Sequence, residues 1–276
     1  MKTKLPVDLP QGYVDFYKNL ETWQNQQQIK LKQAYSSPAI DVQKLLANTK
    51  KSIMQTFDFE LDFNIFQEVY TDLLMFLKQA RPETSEVLDN ILFSMDKLDF
   101  KLLPTKVLEE DGSYFSTLAN DLGVPQELLI FTVDHAARPF LRMWAAPYQK
   151  TIFEAGLNVW DFATICPFCA SKSHFSRILA ADGRRFMFCD RCFTEWETPT
   201  VYCVHCGNSN PLSIQYLSVE DDLAYQVYTC DECKGYIKNF DERQKPIKLD
   251  MFIANIETVY LDILAQEKGY TSHDND

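Results

Sequence analysis

The chain has 276 residues, 46% of them hydrophobic, and a formal net charge of -12 at pH 7. This is enough apolar material for one large domain or two smaller ones. The acidic balance argues against a nucleic-acid partner, because phosphate binding requires lysine and arginine gathered on one face.

The N-terminus lacks the apolar segment of a signal peptide, and no stretch approaches the roughly 18 to 20 uninterrupted apolar residues of a membrane helix. We therefore expect a cytoplasmic protein with no membrane span. In that reducing compartment, the eight cysteines are better interpreted as metal ligands than as disulfides.

The first 160 residues contain no cysteine and predict a helical domain. Apolar residues recur at helical spacing over 61–80 and again over 85–98. Pro139 and Pro147 are expected to break or kink the last predicted helix. Such apolar stripes form a bundle core far more often than a ligand site. The other predicted helices lie over about 12–34, 38–56, 113–121 and 125–157.

His135 is the one histidine of this half, and we interpret it as a packed or surface side chain. It has no sequence neighbour that would suggest catalysis.

From Cys166 onward the pattern changes to short β-type runs separated by turns. All the cysteines lie here, in four Cys-x-x-Cys pairs. A Cys-x-x-Cys turn directs two sulfurs toward one point and supplies half of a tetrahedral thiolate site. The sequence therefore predicts two four-cysteine metal sites. Their ligands are Cys166, Cys169, Cys189, Cys192, Cys203, Cys206, Cys230 and Cys233.

The pairs are separated by 19, 10 and 23 residues. Loop entropy barely separates sequential from nested pairing, because doubling a loop costs only about 0.6 kcal/mol. Local pattern favours sequential pairing. In the first gap, between Cys169 and Cys189, β-type runs flank Asp182-Gly183; in the third gap, between Cys206 and Cys230, they flank the turn-like 220–222. Residues 193–202 contain no turn, and Pro199 disfavours a central strand there. Nested or cross-braced pairing remains the alternative.

Ligand chemistry does not choose between iron and zinc, because thiolate tetrahedra accept both metals. With four cysteines available per site, His174 and His205 are interpreted as neighbours of the sites or solvent-facing residues, not ligands. Gly207 suits the left-handed backbone that often follows such a turn. Trp196 is expected to pack inside a module, with an exposed partner contact as the alternative.

Helical spacing returns at the C-terminal end, where Asp250 is a predicted N-cap and Gly269 a predicted stop. The predicted fold is therefore α+β. A helical bundle is followed by two tandem four-cysteine modules of the rubredoxin or zinc-ribbon type and by a C-terminal helix. The predicted domains are 1–160, 161–200, 201–247 and 248–276.

Five segments together resemble the FdhE family of accessory proteins for formate dehydrogenase maturation. They are CPFC from Cys166, CDRCFTEW from Cys189, CVHCG from Cys203, CDECKGYIK from Cys230, and a closing helix that ends in EKGY. The resemblance covers roughly residues 160–270 in order and spacing. The N-terminal LPQGYVDFYKNLETWQ is a looser match.

The resemblance implies a helical domain followed by two rubredoxin-like modules that bind iron or zinc. It also implies a cytoplasmic chaperone for the catalytic subunit of a molybdenum- or tungsten-dependent formate dehydrogenase. By position, the metal-linked cysteines of the family fall on the eight cysteines named above.

The chain departs from the family at Glu197, where histidine is usual, at Thr200, where arginine is usual, and at Ala170, where glycine is typical. None of these three residues is a cysteine ligand. The resemblance therefore supports metal binding more strongly than it supports the identity of the client protein. Trp196, Glu197 and Thr200 are the candidate partner contacts.

The predicted function is an assembly factor and not an enzyme. Closed tetrathiolate sites leave no open coordination position, and the scattered histidines leave no nucleophile-base pair. The alternatives are a rubredoxin-like iron electron carrier or redox sensor, and, further behind, a zinc-ribbon adaptor. Whether the chain forms a homodimer stays open.

Overall fold

The computed structural model describes residues 9–35, 41, 50–157, 160, 163–219 and 222–274. The chain divides into two compact units. The helical unit comprises Leu20–Pro38 and Asp58–Trp144, and the cysteine unit comprises Met1–Asn19, Ala39–Phe57 and Ala145–Asp276. The finer boundaries predicted after residues 160, 200 and 247 stay a proposal.

Helices fill most of the described chain before the first cysteine. Five of the six predicted segments are helical, while the predicted helix over 38–56 falls largely outside the described residues. The helix at Leu103–Leu108 was not predicted, because it is too short to show a clear apolar period. The helices are α1 (Tyr13–Ala34), α2 (Ile53–Thr56), α3 (Phe63–Ala80), α4 (Ser85–Phe93), α5 (Leu103–Leu108), α6 (Gly112–Leu122), α7 (Gln126–Ala145) and α8 (Gln149–Glu154).

The core of the helical unit is built on the apolar stripe of α3. Phe66 and Leu73 are completely buried, and the ring of Phe66 lies 5.8 Å from that of Phe140 on α7. The hydroxyl of Tyr70, also buried, lies 3.1 Å from that of Thr132, so its polar end is satisfied. The stripe is a packing surface, as the sequence predicts.

Pro139 does not end its helix. α7 continues through it to Ala145, two residues before Pro147. A proline removes the N–H that would bond the carbonyl four residues earlier, here that of His135. The buried Gln24 supplies a replacement, because its Nε2 donates to the His135 carbonyl at 3.1 Å and also lies 3.0 Å from His135 Nδ1. His135 is thus a packed residue.

The strands of the described cysteine unit are β1 (Phe175–Ile178), β2 (Arg185–Phe188), β3 (Glu195–Thr198), β4 (Ile214–Val219), β5 (Asp222–Cys230) and β6 (Tyr236–Asp241). These six strands form one sheet in the order β3-β2-β1-β6-β5-β4. The predicted hairpin is present, with β1 antiparallel to β2 and Gly183 at φ +73° in the turn. β4 and β5 form the second hairpin, although two residues of its predicted turn fall outside the described residues.

Two strands were not predicted. β3 lies within residues 193–202, where Pro199 was expected to disfavour a central strand. It pairs with β2 at the sheet edge and ends just before Pro199. A strand at the edge of a sheet tolerates a proline at its end. Pro199 therefore does not prevent a strand here, although it disfavours a central one. β6 is buried at all six positions, so it lacks the apolar-polar alternation of a half-exposed strand. Its parallel pairing with β1 joins the two modules into one sheet.

The predicted C-terminal helix is two helices, α9 (Met251–Glu257) and α10 (Val259–Glu267), separated at Thr258. Asp250 is the N-cap as predicted, since its side chain accepts from the Ile253 N–H at 3.0 Å. Phe252 of α9 packs in one apolar cluster with Phe175 and Phe240 of the sheet. No described helix is long and apolar enough to cross a membrane.

Candidate metal centres

The four Cys-x-x-Cys turns share one backbone geometry. In each, the N–H of the first cysteine donates to the carbonyl five residues later, at 2.7 to 3.0 Å. The residue after the second cysteine is left-handed in every turn: Ala170 (φ +64°), Phe193 (+62°), Gly207 (+77°) and Lys234 (+58°). This bend folds the chain back over the cysteines and directs both sulfurs of a turn to the same side.

The structure assembles the turns into two four-cysteine groups, and the pairing is the sequential one. One consists of Cys166, Cys169, Cys189 and Cys192, and the other of Cys203, Cys206, Cys230 and Cys233. We call them the first and second clusters. Within each, the four sulfurs lie within 4.8 Å of one another.

The sulfur spacing fits a tetrahedral metal. In the first cluster Cys166 and Cys192 are 3.4 Å apart, and Cys169 and Cys189 are 3.6 Å apart. The corresponding distances in the second cluster are 3.5 and 3.8 Å. A tetrahedron with zinc–sulfur bonds of about 2.3 Å has edges of about 3.8 Å, whereas a disulfide would require about 2.05 Å. The donor set therefore fits iron or zinc.

The first cluster is closed to solvent, since all four of its cysteines are buried. Burial raises the pKa of the Cys166 and Cys189 thiols well above the ordinary cysteine value. A divalent cation opposes that effect by stabilising thiolates. Hydroxyl groups support the sulfurs, with Ser171 Oγ 3.3 Å from Cys169 and Thr194 Oγ1 3.2 Å from Cys192.

The second cluster is more open. Cys203 and Cys230 are buried, but Cys233 is half-buried and Cys206 is exposed. Its hydrogen bonds also differ, because Asn208 Nδ2 donates to the Cys230 sulfur at 3.4 Å and the Gly235 N–H donates to the Cys233 sulfur at 3.3 Å. Solvent and competing ligands therefore have a route to this cluster that the first cluster lacks.

His205 lies inside the third turn without joining the cluster. Its Nε2 lies 2.9 Å from the Tyr236 carbonyl, and burial lowers its pKa to about 4, so the ring is neutral near pH 7 and donates this bond. The ring packs 4.9 Å from that of His273. Gly235 leaves room for the His205 ring, because a Cβ there would lie 2.6 Å from His205 Cδ2.

The C-terminal tail was missed by sequence reasoning and contacts the second cluster. Thr271 pairs in parallel with Gly235, and His273 Nε2 lies 3.1 Å from the carbonyl of Cys233. His174 lies beside the tail, 3.6 Å from Asp274. The TSHD stretch at residues 271–274 carries no periodic apolar signal, so its packing could not be predicted from the sequence.

The three candidate partner contacts lie on or after β3. Trp196 is completely buried and its Nε1 donates to the Ala163 carbonyl at 3.3 Å, so it packs, and a direct partner contact is at odds with its burial. The side chain of Glu197 is 7% exposed and pairs with Arg184 at 3.2 Å. Thr200 is half-buried, with Oγ1 3.4 Å from the Gly183 carbonyl. A contact of Glu197 or Thr200 with a partner stays a prediction.

Replacing Ala170 by glycine is expected to stabilise the cysteine unit by about 1 kcal/mol, because an L-residue in the left-handed region costs roughly 1–2 kcal/mol that glycine avoids. The measurement is thermal unfolding of the metal-loaded protein. Ala180→Gly is the matched control: Ala180 is exposed in the same module and lacks a positive φ. It should lower stability slightly. If Ala170→Gly and Ala180→Gly shifted the unfolding temperature equally, left-handed strain at Ala170 would not be the cause.

Comparisons with known proteins identify relatives of this chain. The family described as "FdhE, C-terminal domain" matches residues 201–275. A protein FdhE homolog from Aquifex aeolicus is 30% identical over 216 residues, which covers 76% of this chain and 69% of that protein. Protein FdhE of Escherichia coli K12 is 31% identical over 206 residues, 72% of this chain. The match spans 61% of the length of that E. coli protein.

The crystal structure of the FdhE protein from Pseudomonas aeruginosa is similar in fold, with a TM-score of 0.65 over 95% of this chain and 87% of that one. At 19% sequence identity this likeness bears on the fold alone. It agrees with the α+β architecture of a helical region, a sheet with two four-cysteine clusters, and C-terminal helices.

Proposed function

The chain belongs to the FdhE family, and we propose from this that it is a cytoplasmic assembly factor for formate dehydrogenase. In this proposal it binds the immature catalytic subunit of a molybdenum- or tungsten-dependent enzyme and aids its maturation without catalysing a reaction itself. The observation that carries the proposal is the 30% identity to the Aquifex aeolicus FdhE homolog over 216 residues.

We propose that each cluster binds one iron or zinc ion, with the eight cysteines as ligands. The sulfur spacing and the enclosed thiols of the first cluster support this. A bound ion would supply folding free energy that small ribbon modules cannot draw from their own cores, typically about 10–16 kcal/mol for zinc in finger peptides. The first cluster thus has the character of a structural site.

The alternative, a rubredoxin-like electron carrier or redox sensor, draws on the second cluster. Electron exchange with a partner requires a centre close to the surface, and Cys206 of this cluster is an exposed residue. This function requires iron there, together with a reversible one-electron couple. Anaerobic purification followed by elemental analysis and an absorption spectrum separates the cases, because thiolate-to-iron charge-transfer bands distinguish iron from zinc.

The test of the assembly function is capture of the client. The tagged, metal-loaded chain should retain the formate dehydrogenase catalytic subunit from cells that cannot make the molybdenum or tungsten cofactor. It should retain much less of the same subunit after cofactor insertion. Capture of the mature enzyme alone, or of no subunit in either state, would overturn the proposal.

A further inference from the structure

Arg185 opens β2 and is completely buried, yet no carboxylate pairs with it in the described part of the chain. Its Nε donates to Ser176 Oγ at 3.3 Å, and its Nη1 donates to the Tyr202 carbonyl at 3.1 Å. Its Nη2 has no hydrogen-bond partner among the described residues. Asp241, on the same face of the sheet, is already held by Arg243 at 2.8 Å. The guanidinium therefore lies in the interior with neutral hydrogen-bond acceptors.

The charge of Arg185 requires a balance from elsewhere, because a buried cation without a nearby negative charge destabilises a fold. The ring of Tyr228 contributes, with its centroid 4.5 Å from Arg185 Cζ. Burial lowers the pKa of the guanidinium, whereas negative charge at Tyr228, Tyr216 or Cys203 raises it. Tyrosine is ordinarily neutral near pH 7, while a cysteine that binds a metal is a thiolate. Of these three groups, Cys203 is thus the one that supplies a full negative charge.

Both contacts of the guanidinium lead to the buried side of the second cluster. Tyr202, whose carbonyl accepts from Arg185, directly precedes Cys203, and Tyr228 lies two residues before Cys230. The two tyrosines and the two cysteines line one cavity of about 10 Å³, which is barely the space of one water molecule. Little solvent is therefore present in this region to screen a charge on the sulfurs.

We propose that Arg185 is the counter-charge of the second cluster: it stabilises the thiolates of the metal-bound centre without being a ligand. Four thiolates and a divalent ion leave a net charge of about −2. A guanidinium in the low-dielectric interior offsets part of this charge, and its bond to Tyr202 holds the chain that enters the cluster at Cys203. The second cluster therefore binds its metal more tightly with Arg185 than without it.

Two other cations near the second cluster already have carboxylate partners. Lys234, which follows Cys233, pairs with Asp231 at 3.2 Å, and Lys172 pairs with Asp274 at 3.6 Å. Each of these ion pairs is partly exposed, so solvent also screens it. Their charges are balanced locally, unlike the buried charge of Arg185.

The first cluster has an arginine of its own. Arg191 Nη1 donates to Ser171 Oγ at 2.9 Å, and that hydroxyl lies 3.3 Å from the Cys169 sulfur. One side chain thus separates this guanidinium from a ligand, as one carbonyl separates Arg185 from Cys203. Removing Arg185 should therefore affect the second cluster and leave the first cluster unchanged.

The inference rests on the proposed metal binding by the second cluster, and the probe is Cd²⁺ bound to the full chain. Two ¹¹³Cd NMR signals are expected, one per cluster, and the signal lost in Cys203→Ala belongs to the second. Arg185→Gln keeps a hydrogen-bond donor for Tyr202 and removes the charge. In chelator competition it should lower the Cd²⁺ affinity of the second cluster about 10- to 100-fold, the range typical of groups that support metal ligands. The affinity of the first cluster should not change.

Arg185→Lys keeps the charge and should retain most of the affinity. Arg184→Gln is the matched control, because it removes a neighbouring charge whose side chain is 44% exposed, and it should leave both clusters unchanged. Equal affinity in the wild type and Arg185→Gln would overturn the inference. An equal loss at both clusters would also overturn it, because the role of Arg185 would then be structural. If Arg185→Lys lost as much affinity as Arg185→Gln, charge would not be the cause.

A measurement on the wild type applies even if the variants do not fold. The Nε–H NMR signal of Arg185 should shift when a chelator empties the second cluster. The signal of Arg177, whose Nε pairs with Glu195 at 2.6 Å, should stay in place. An unchanged Arg185 signal would overturn the inference. If the wild type bound no Cd²⁺ at the second cluster, the proposed metal site would fail and the inference with it. Two bound ions without an effect of Arg185 would defeat the inference alone.

Discussion

Replacing Cys166 by alanine is expected to remove one metal ion per chain and to unfold the first module. The sulfur lies in a closed cluster, and three buried thiols without a cation cannot recover the coupled folding free energy, about 10–16 kcal/mol for zinc in finger peptides. Cys189→Ala should empty the same site, while Cys203→Ala should empty the other. The double variant Cys166→Ala/Cys203→Ala should retain no metal.

Elemental analysis and near-ultraviolet circular dichroism measure these outcomes. The control is Ser113→Ala on α6, which should keep both metals, because its hydroxyl contacts only the half-buried Asp111 side chain of the helical unit among the described residues. Loss of both metals on changing Cys166 alone would mean that the clusters are not independent. Retention of both would show that the first cluster is not a metal site.

Chelation should also distinguish the clusters. Because Cys206 is exposed, a chelator reaches the second cluster first, and its metal should leave earlier than that of the first cluster. The α-helical signal should largely persist, since the helical unit has an apolar core of its own around Phe66 and Leu73. Collapse of all secondary structure at once would contradict the division into two units.

The parts that the sequence predicts well are those set by local chemistry. A Cys-x-x-Cys turn requires its two sulfurs to converge whatever surrounds it, and Asp182-Gly183 specifies a hairpin on its own. The sequential pairing follows from these local units, and the structure agrees. The N-cap of Asp250 is a signal of the same kind.

The parts that it misses depend on distant partners. β6 carries Lys238 and Asn239 in its centre, and these residues are buried only because α10 and β1 supply their partners. α7 tolerates Pro139 because Gln24, 115 positions away in the sequence, caps the freed carbonyl. The packing of the C-terminal tail is of the same kind, since Thr271 pairs with Gly235.

Trp196→Ala is expected to lower the free energy of unfolding of the cysteine unit by about 3–5 kcal/mol, the usual cost of deleting a fully buried large aromatic side chain. The bond from its Nε1 to the Ala163 carbonyl is lost as well. Trp196→Phe refills much of the cavity and should restore most of the stability. Denaturant unfolding of the metal-loaded protein provides the measurement.

Glu197→Gln and Thr200→Val test whether this segment recognises the client, without disturbing the fold. Glu197 lies on β3, and Thr200 follows that strand. Glu197 pairs with Arg184, whose side chain is 44% exposed, so the pair contributes at most about 1 kcal/mol to stability. Both variants should therefore keep both metals and unfold nearly as the wild type does. If this segment contacts the client, they should lower capture of the immature subunit, whereas Trp196→Phe should not. If Trp196→Phe lowered capture while Glu197→Gln and Thr200→Val did not, residues 194–200 would have a structural role alone.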